Sequence, residues 1–565
     1  MSIELCSSLS TVRARRANAA RRLLWSTLPV MVAALVVVPM VLLVSRLLHP
    51  TGEVWAQLWS TILPEMIRNT LLLMLGVAVI TLALGSGLAW LVTAYRFPGS
   101  RVFDWALILP LAVPTYVMGF VYMATFDFAG PVQTTLRAWF GADIALPNIR
   151  SGGGAILVMG LTLYPYVYFL ARAAFREQSS STFDAARAMG YTRLQTFFKL
   201  VLPLARPSLV AGVTLALLEA MTDFATVRFF NFRTMSEGVV HVWQGMMNRD
   251  AAIELSALFL FFALAIVIVE RLLRGRSRYY QPGRRTRQIP RVDLVGWRKW
   301  AAAATCTAIF GTAFLLPAAR LVSWTVGDLS NAATVNVLKT VYLGYVLRTF
   351  ALAATAAVIA VLLALILAQG TRMNRGRFGL AATRLATMGY ALPGAVIAAG
   401  ALITVAAIDR TVMSASESLF GINPGLLLTG SIAGLLYAYV VRFMAVAYNS
   451  VESSMEKVTP NMEEAARTLG ATPARVMWRV HLPLIKVGMA AGAALVFVDV
   501  MKELPATILL APFGMETLSM WTYMLAAESL WETAALPSLT IVIVGLIPVM
   551  LLMRVGRMTT LGGNQ

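Results

Sequence analysis

Charge is what these 565 residues have least of. Asp, Glu, Lys and Arg make up 13% of the chain, where soluble domains carry about 25%. Hydrophobic residues make up 58%. No stretch is polar enough for a sizeable soluble domain, and the longest polar run is Arg271 to Lys299. Cysteine is nearly absent: Cys6 and Cys306 lie 300 positions apart and give no disulfide framework or metal cluster. His49, His241 and His481 are scattered without ligand spacing and read as non-catalytic. No Gly-x-x-x-x-Gly-Lys-Ser/Thr phosphate loop occurs, so the chain has no ATP-hydrolysing machinery of that kind. The 28 methionines are dispersed and read as helix packing, without the clustering of a soft-metal path. With no convergent His, Ser or metal constellation, the sequence does not read as an enzyme, and it needs no cofactor of its own.

What is present is apolar length. A helix needs about 20 apolar residues to cross a bilayer core. Twelve segments qualify: 24–48, 70–93, 104–124, 155–174, 208–227 and 252–270, then 300–323, 349–369, 386–407, 425–447, 487–511 and 534–553. The first run follows a basic segment, but it is too long for a signal-peptide core and reads as a retained helix. The fold class expected is an all-α polytopic membrane protein of about twelve spans.

The net charge of +20 is spent on topology. Arginines at 13, 15, 16, 21 and 22 precede the first span, and ten Lys or Arg residues lie in 271–299. Short loops rich in Lys and Arg stay on the cytoplasmic side. The basic segments therefore place both termini and the 271–299 linker in the cytoplasm, against anionic lipid headgroups. Nucleic acid is not an expected partner. The division expected is a basic tail over 1–23, a first repeat over 24–270, the linker over 271–299 and a second repeat over 300–557.

Two polar loops share one pattern. Asp184-Ala185-Ala186 is followed by Gly190, Leu200, Leu202 and Pro203, and Glu464-Ala465-Ala466 by Gly470, Val480, Leu482 and Pro483. Each element of the second copy lies 280 positions after the first. Thr70 and Thr349, and Pro114 and Pro393, are related by 279, so one residue is inserted between these points. Six spans per half return the chain to the same side, which makes the repeats parallel. Ser181 with Asp184 and Asn461 with Glu464 fit capping boxes. Gly190 and Gly470 fit a left-handed helix end, and Thr472-Pro473 fits a helix restart. The paired alanines would let a partner approach closely. A docking surface needed twice suggests a two-fold partner.

The pattern resembles the signature of permease subunits of binding-protein-dependent ABC importers. Both copies match it, with Asp184 and Leu200 as conservative variants in the first and Val480 in the second. The resemblance implies the type I importer permease fold and a multi-pass protein of the bacterial inner membrane. It also implies that Asp184, Ala185, Ala186 and Gly190, with Glu464, Ala465, Ala466 and Gly470, dock a cytoplasmic ATPase homodimer. A periplasmic substrate-binding protein is the other partner implied. The run Met501-Lys502-Glu503-Leu504-Pro505-Ala506-Thr507, with Pro512-Phe513-Gly514 and Thr517-Leu518, is similar to the second half of ferric-iron permeases. Met221-Thr222-Asp223-Phe224 with Thr226 is similar to their first half. Ferric iron is the expected cargo, while thiamine, phosphonate and polyamine importers are alternatives of the same architecture. An ion-coupled secondary transporter is a remoter one.

Four acids fall inside the apolar segments. Glu219 and Asp223 are four residues apart, as are Asp499 and Glu503, and the pairs are related by 280. On continuous helices each pair would share a face. An acid at mid-bilayer costs about 2.5–3.5 kcal/mol, so such residues are functional candidates. They are read as a candidate translocation path whose oxygen ligands suit a hard cation, or alternatively as structural pairs.

Overall fold

The computed structural model describes residues 27–48, 52–178, 183–274 without 185 and 187, 291–330, 336, 338–373 and 377–561. Apart from one two-residue strand pair, its regular elements are helical. That follows from the composition: in hydrocarbon a helix satisfies every backbone group within its own segment. Eleven helices among the described residues are long and apolar enough to cross a membrane. The twelfth segment, expected at 104–124, is a pair of helices, Ser100–Ala112 and Thr115–Phe140, bent by 93°.

Proline causes the bend. Val113 is extended, with φ −90° and ψ 118°, because the ring of Pro114 bars its predecessor from the helical region. Leu392 before Pro393 is likewise extended, and the helix Gly394–Phe420 starts only after it. The span expected at 386–407 is thus displaced toward its C-terminal side.

The chain packs as two compact units that do not follow the two sequence repeats. One contains residues 50–345 and 516–565, the other residues 1–49 and 346–515. In the first unit, Leu63–Ala94, Gly152–Glu177 and Leu202–Thr222 pack together around Leu73, Val77, Met159, Leu163 and Ala216. Val167 is gripped between two glycines. A Cβ at Gly85 would sit 2.6 Å from the Val167 Cβ, and one at Gly212 would sit 2.8 Å from its Cα. Such small residues let membrane helices approach closely. The helix Trp297–Asp328, from the second repeat, joins this unit: the Tyr122 hydroxyl donates to the Thr312 carbonyl (2.7 Å) and Trp324 stacks on Phe120.

In the other unit, Ile432–Met455 packs against Leu482–Met501, with Gly492 facing Ser450. The helix Thr27–Leu48, from the first repeat, belongs here. Its Pro29 and Pro39 lie against Gly370 and Gly400, and the Tyr437 hydroxyl donates to the Leu35 carbonyl (2.7 Å). Each unit thus includes helices that the sequence division assigned to the opposite repeat: Thr27–Leu48 in one, Trp297–Asp328 and Trp531–Met550 in the other.

Candidate functional site

The second motif loop is fully described. Its helix runs Pro460–Thr468, with Thr459 as N-cap and Pro460 in the first turn. This corrects the capping box expected from Asn461 and Glu464: the helix begins two residues earlier, because proline at its start fixes the backbone there. Glu463 stands in the first turn instead. The Ser181–Asp184 box cannot be compared, since Ser181 lies outside the described residues, as does Ala185.

The helix ends agree with the sequence reading. Gly190 and Gly470 both have φ +77°. The Ala471 N–H donates to the Ala466 carbonyl and the Gly470 N–H to the Arg467 carbonyl, each at 3.0 Å, a complete Schellman closure. In the first loop the Tyr191 N–H donates to the Ala186 carbonyl at the same distance. Thr472 then caps Pro473–Val476 through the Arg475 N–H. The first loop restarts more tightly than its sequence suggested, through a reciprocal Thr192–Gln195 capping box.

Both loops return to the bundle through a π turn, Phe197–Val201 and Met477–His481, just before Leu202-Pro203 and Leu482-Pro483. Proline lacks an N–H, and its ring clashes with the carbonyl four residues back. Widening the preceding turn accommodates that. A third π turn precedes Pro317.

Asp184, Gly190, Glu464, Ala465 and Gly470 are exposed, whereas Ala186 is buried and Ala466 half-buried. The second alanine of each pair thus packs inward, where a larger side chain would lift the loop. Among the exposed apolar residues that composition alone did not single out are Met189 and Phe198 in the first loop, and Leu469 and Trp478 in the second. Leu469 is 88% exposed and Trp478 73%. These residues correspond pairwise at the 280-residue offset. Met189 and Leu469 stand at the helix ends before Gly190 and Gly470, whereas Phe198 and Trp478 stand near the start of Arg193–Thr222 and Met477–Met501, helices long and apolar enough to cross a membrane.

The loops are anchored differently. In the second, Arg372 Nε donates to Glu463 Oε1 (2.6 Å), and its other nitrogens donate to the carbonyls of Met455 (3.0 Å) and Val458 (2.5 Å). His481 Nε2 lies 3.0 Å from the same Glu463 oxygen. In the first, the residue equivalent to Glu463 is Phe183, stacked on Trp90 at 5.9 Å between ring centres. Phe197 and Phe175 complete this aromatic cluster around Trp90. One loop is pinned by a charged network and the other by rings.

The intramembrane acids do not share continuous helices. Leu202–Thr222 ends before Asp223, which has φ −79° and ψ 99°. Leu482–Met501 ends before Lys502. Asp223 caps the short helix Phe224–Phe229: its Oδ1 accepts the Thr226 N–H (2.9 Å) and its Oδ2 the Thr226 hydroxyl. Glu503 does the same for Pro505–Leu510, accepting the N–H groups of Ala506 (3.1 Å) and Thr507 (3.3 Å). The expected i, i+4 faces are therefore broken, for a local reason: a buried carboxylate caps a new helix start better than it continues the old one. Glu219 and Asp499 remain half-buried on the longer helices, and Asp499 pairs with Lys502 at 2.9 Å.

Glu503 also meets Arg442, a partner that sequence reading missed. Arg442 Nη1 stands 2.5 Å from Glu503 Oε1, with side-chain exposures of 8% and 1%. A Cβ at Gly394 would run into this Arg442 nitrogen. In the first repeat the equivalent positions are Asp223, Thr162 and Thr115, so hydroxyls stand where the second repeat holds an arginine and a glycine. Among the described residues no three His, Cys, Asp or Glu side chains are grouped to hold a metal ion.

Comparison with known proteins gives the following. The model of the family described as "Binding-protein-dependent transport system inner membrane component" matches residues 81–278 and again 360–559. The Fe(3+)-transport system permease protein FbpB 2 of Haemophilus influenzae is 25% identical over 492 residues, covering 86% of this chain and 89% of that protein. The sulfate transport system permease protein CysT of Escherichia coli is 32% identical over 182 residues, 31% of this chain and 63% of its own length. The molybdenum transport system permease protein ModB of Escherichia coli is 28% identical over 204 residues, 35% of this chain and 87% of its own length.

Proposed function

Because the chain belongs to the family of binding-protein-dependent transport system inner membrane components, and carries the family region twice, we propose that it moves ferric iron into the cytoplasm. It acts as the complete membrane pathway of an ATP-driven importer. The observation that carries the cargo is the length of its likeness to the Fe(3+) permease, which spans both repeats. The sulfate and molybdenum permeases are similar over only about a third of the chain. Sulfate and molybdenum are the competing cargoes those two names put forward.

In this reading a periplasmic binding protein delivers the ion and two copies of a separate ATPase dock on the cytoplasmic loops. Asp184, Ala185, Ala186 and Gly190 form one docking site, and Glu464, Ala465, Ala466 and Gly470 the other. Met189, Phe198, Leu469 and Trp478 supply apolar contact beside them, as their exposure supports. Nucleotide-driven closure of the ATPases moves both loops, and the bundle follows because it binds the two ATPase states unequally. Asp223 and Glu503 hold the helix breaks, while Glu219 and Asp499 are the candidate cargo-facing acids.

Docking is tested by co-purifying the chain with its ATPase. Leu469→Asp combined with Met189→Asp should abolish recovery of the ATPase while leaving the permease inserted and monodisperse. Undiminished recovery would remove the docking assignment.

A further inference from the structure

One cluster of charge plays no part in docking or in the helix breaks. Asp104, in the short helix Ser100–Ala106, holds two arginines at once. Arg172 bridges both its oxygens (Nε to Oδ1 2.7 Å, Nη2 to Oδ2 2.6 Å), and Arg176 Nη2 reaches Oδ1 at 2.6 Å. A further arginine, Arg291, sits beside them at the end of the basic linker. Burial, with the nearby Arg176, lowers its pKa, Asp104 opposes this, and Arg172 and Arg96 add to the lowering. Arg96 is brought there by the two-residue parallel strand pair, Tyr95 with Val292 and Arg96 with Asp293. Arg193 lies over the Tyr95 ring. Arg172, Arg176 and Arg291 are half-buried about Asp104, while Arg96, Arg193 and Asp293 are exposed at its edge, so arginines outnumber aspartates where the cluster opens to the surface. An excess of guanidinium at such an opening attracts an anion.

The surroundings say which anion. Immediately after Arg291 the chain enters the apolar helix that starts at Trp297 and touches Ser100–Ala106. Trp297 and Trp300 are exposed on that first turn, and Lys299 lies over the Trp300 ring. Exposed tryptophans at the start of a span mark the headgroup level of the bilayer. The arginines therefore stand where lipid phosphates are, and guanidinium forks match phosphate oxygens in pairs. The second repeat lacks the arrangement: Thr383 replaces Asp104, and Glu452 and Glu456 replace Arg172 and Arg176.

We propose that Arg96, Arg176 and Arg291 form a built site for the phosphate headgroup of one anionic phospholipid, present in the first repeat alone. The lipid ties the linker to the bundle at the membrane surface. This does not depend on the cargo.

The test is native mass spectrometry of the full-length, delipidated protein titrated with phosphatidylglycerol, phosphatidylcholine or inorganic phosphate. The wild type should retain one phosphatidylglycerol per chain in preference to phosphatidylcholine. Arg96→Gln with Arg291→Gln should weaken that retention about tenfold or more, whereas Arg291→Lys and the remote Arg410→Gln should keep most of it. Equal retention of the two lipids by the wild type would overturn the proposal even if the double variant failed to fold. So would unchanged phosphatidylglycerol binding in a folded double variant. Displacement of the lipid by millimolar inorganic phosphate would show a soluble-anion site instead.

Discussion

At the scale of single residues, the buried Arg442–Glu503 pair does most to hold the second helix break. Removing one partner strands the other charge, which costs about 3–5 kcal/mol, while removing both costs much less. Arg442→Ala should therefore lower the thermal midpoint of the solubilised protein strongly, and adding Glu503→Gln should recover part of the loss. Additive losses in the double variant would show that the two charges are not coupled. The helix end at Gly470 gives a second prediction. Its φ of +77° suits Gly, and Asn to a lesser degree, whereas a β-branched residue is strained there. Gly470→Val should cut transport several-fold while Gly470→Asn retains most of it, measured as uptake at matched membrane levels. Equal activity in both would mean that the turn is not needed. This glycine was legible in the sequence because its demand is local. Arg442 was not, because its partner lies 61 positions away and only the packing of Ile432–Met455 against the helix break brings them together.

At the scale of elements, the two motif loops have one backbone design and two anchoring chemistries. Arg372, Glu463 and His481 pin the second, and Trp90, Phe183 and Phe197 the first. Arg372→Gln should raise hydrogen exchange across 459–472 and leave 188–201 unchanged, and Trp90→Ala should do the reverse. A response in both loops from either variant would contradict separate anchoring. The left-handed helix ends were read from glycine spacing, whereas the breaks at Pro114 and Pro393 were not, since both prolines were placed inside spans read as continuous. The π turns before Pro203 and Pro483 were not legible either, since proline sets the problem without stating which neighbouring turn widens. The acid pairs were placed on shared helix faces because an apolar run reads as one continuous helix. Pro505 hinted at a break in the second run, but no proline marks the one at Asp223.

At the scale of the whole molecule, the duplicated sequence is visible as two halves, yet the compact units do not keep to those halves. Thr27–Leu48 packs within the unit built mainly from the second half, and Trp297–Asp328 and Trp531–Met550 within the unit built mainly from the first. Hydropathy finds such helices but does not say which neighbours they take, because any apolar face satisfies lipid equally well. Chain connection through residues 271–299 should therefore not be the sole tie between the halves. Cleavage at a protease site inserted between Arg278 and Arg284 should leave the two fragments co-purifying and active. Separation of the fragments in mild detergent would contradict the exchange of spans.

The central claim, an ATP-driven ferric-iron pathway, is tested most directly by uptake. Cells lacking this gene would be complemented with the wild-type chain and given radiolabelled ferric iron, and in parallel labelled sulfate, molybdate and thiamine. The account predicts that iron uptake alone is restored, and that it disappears when the partner ATPase is inactivated. Restoration of another substrate in place of iron would keep the importer and overturn its cargo. Iron uptake that persists without the ATPase would contradict the mechanism itself.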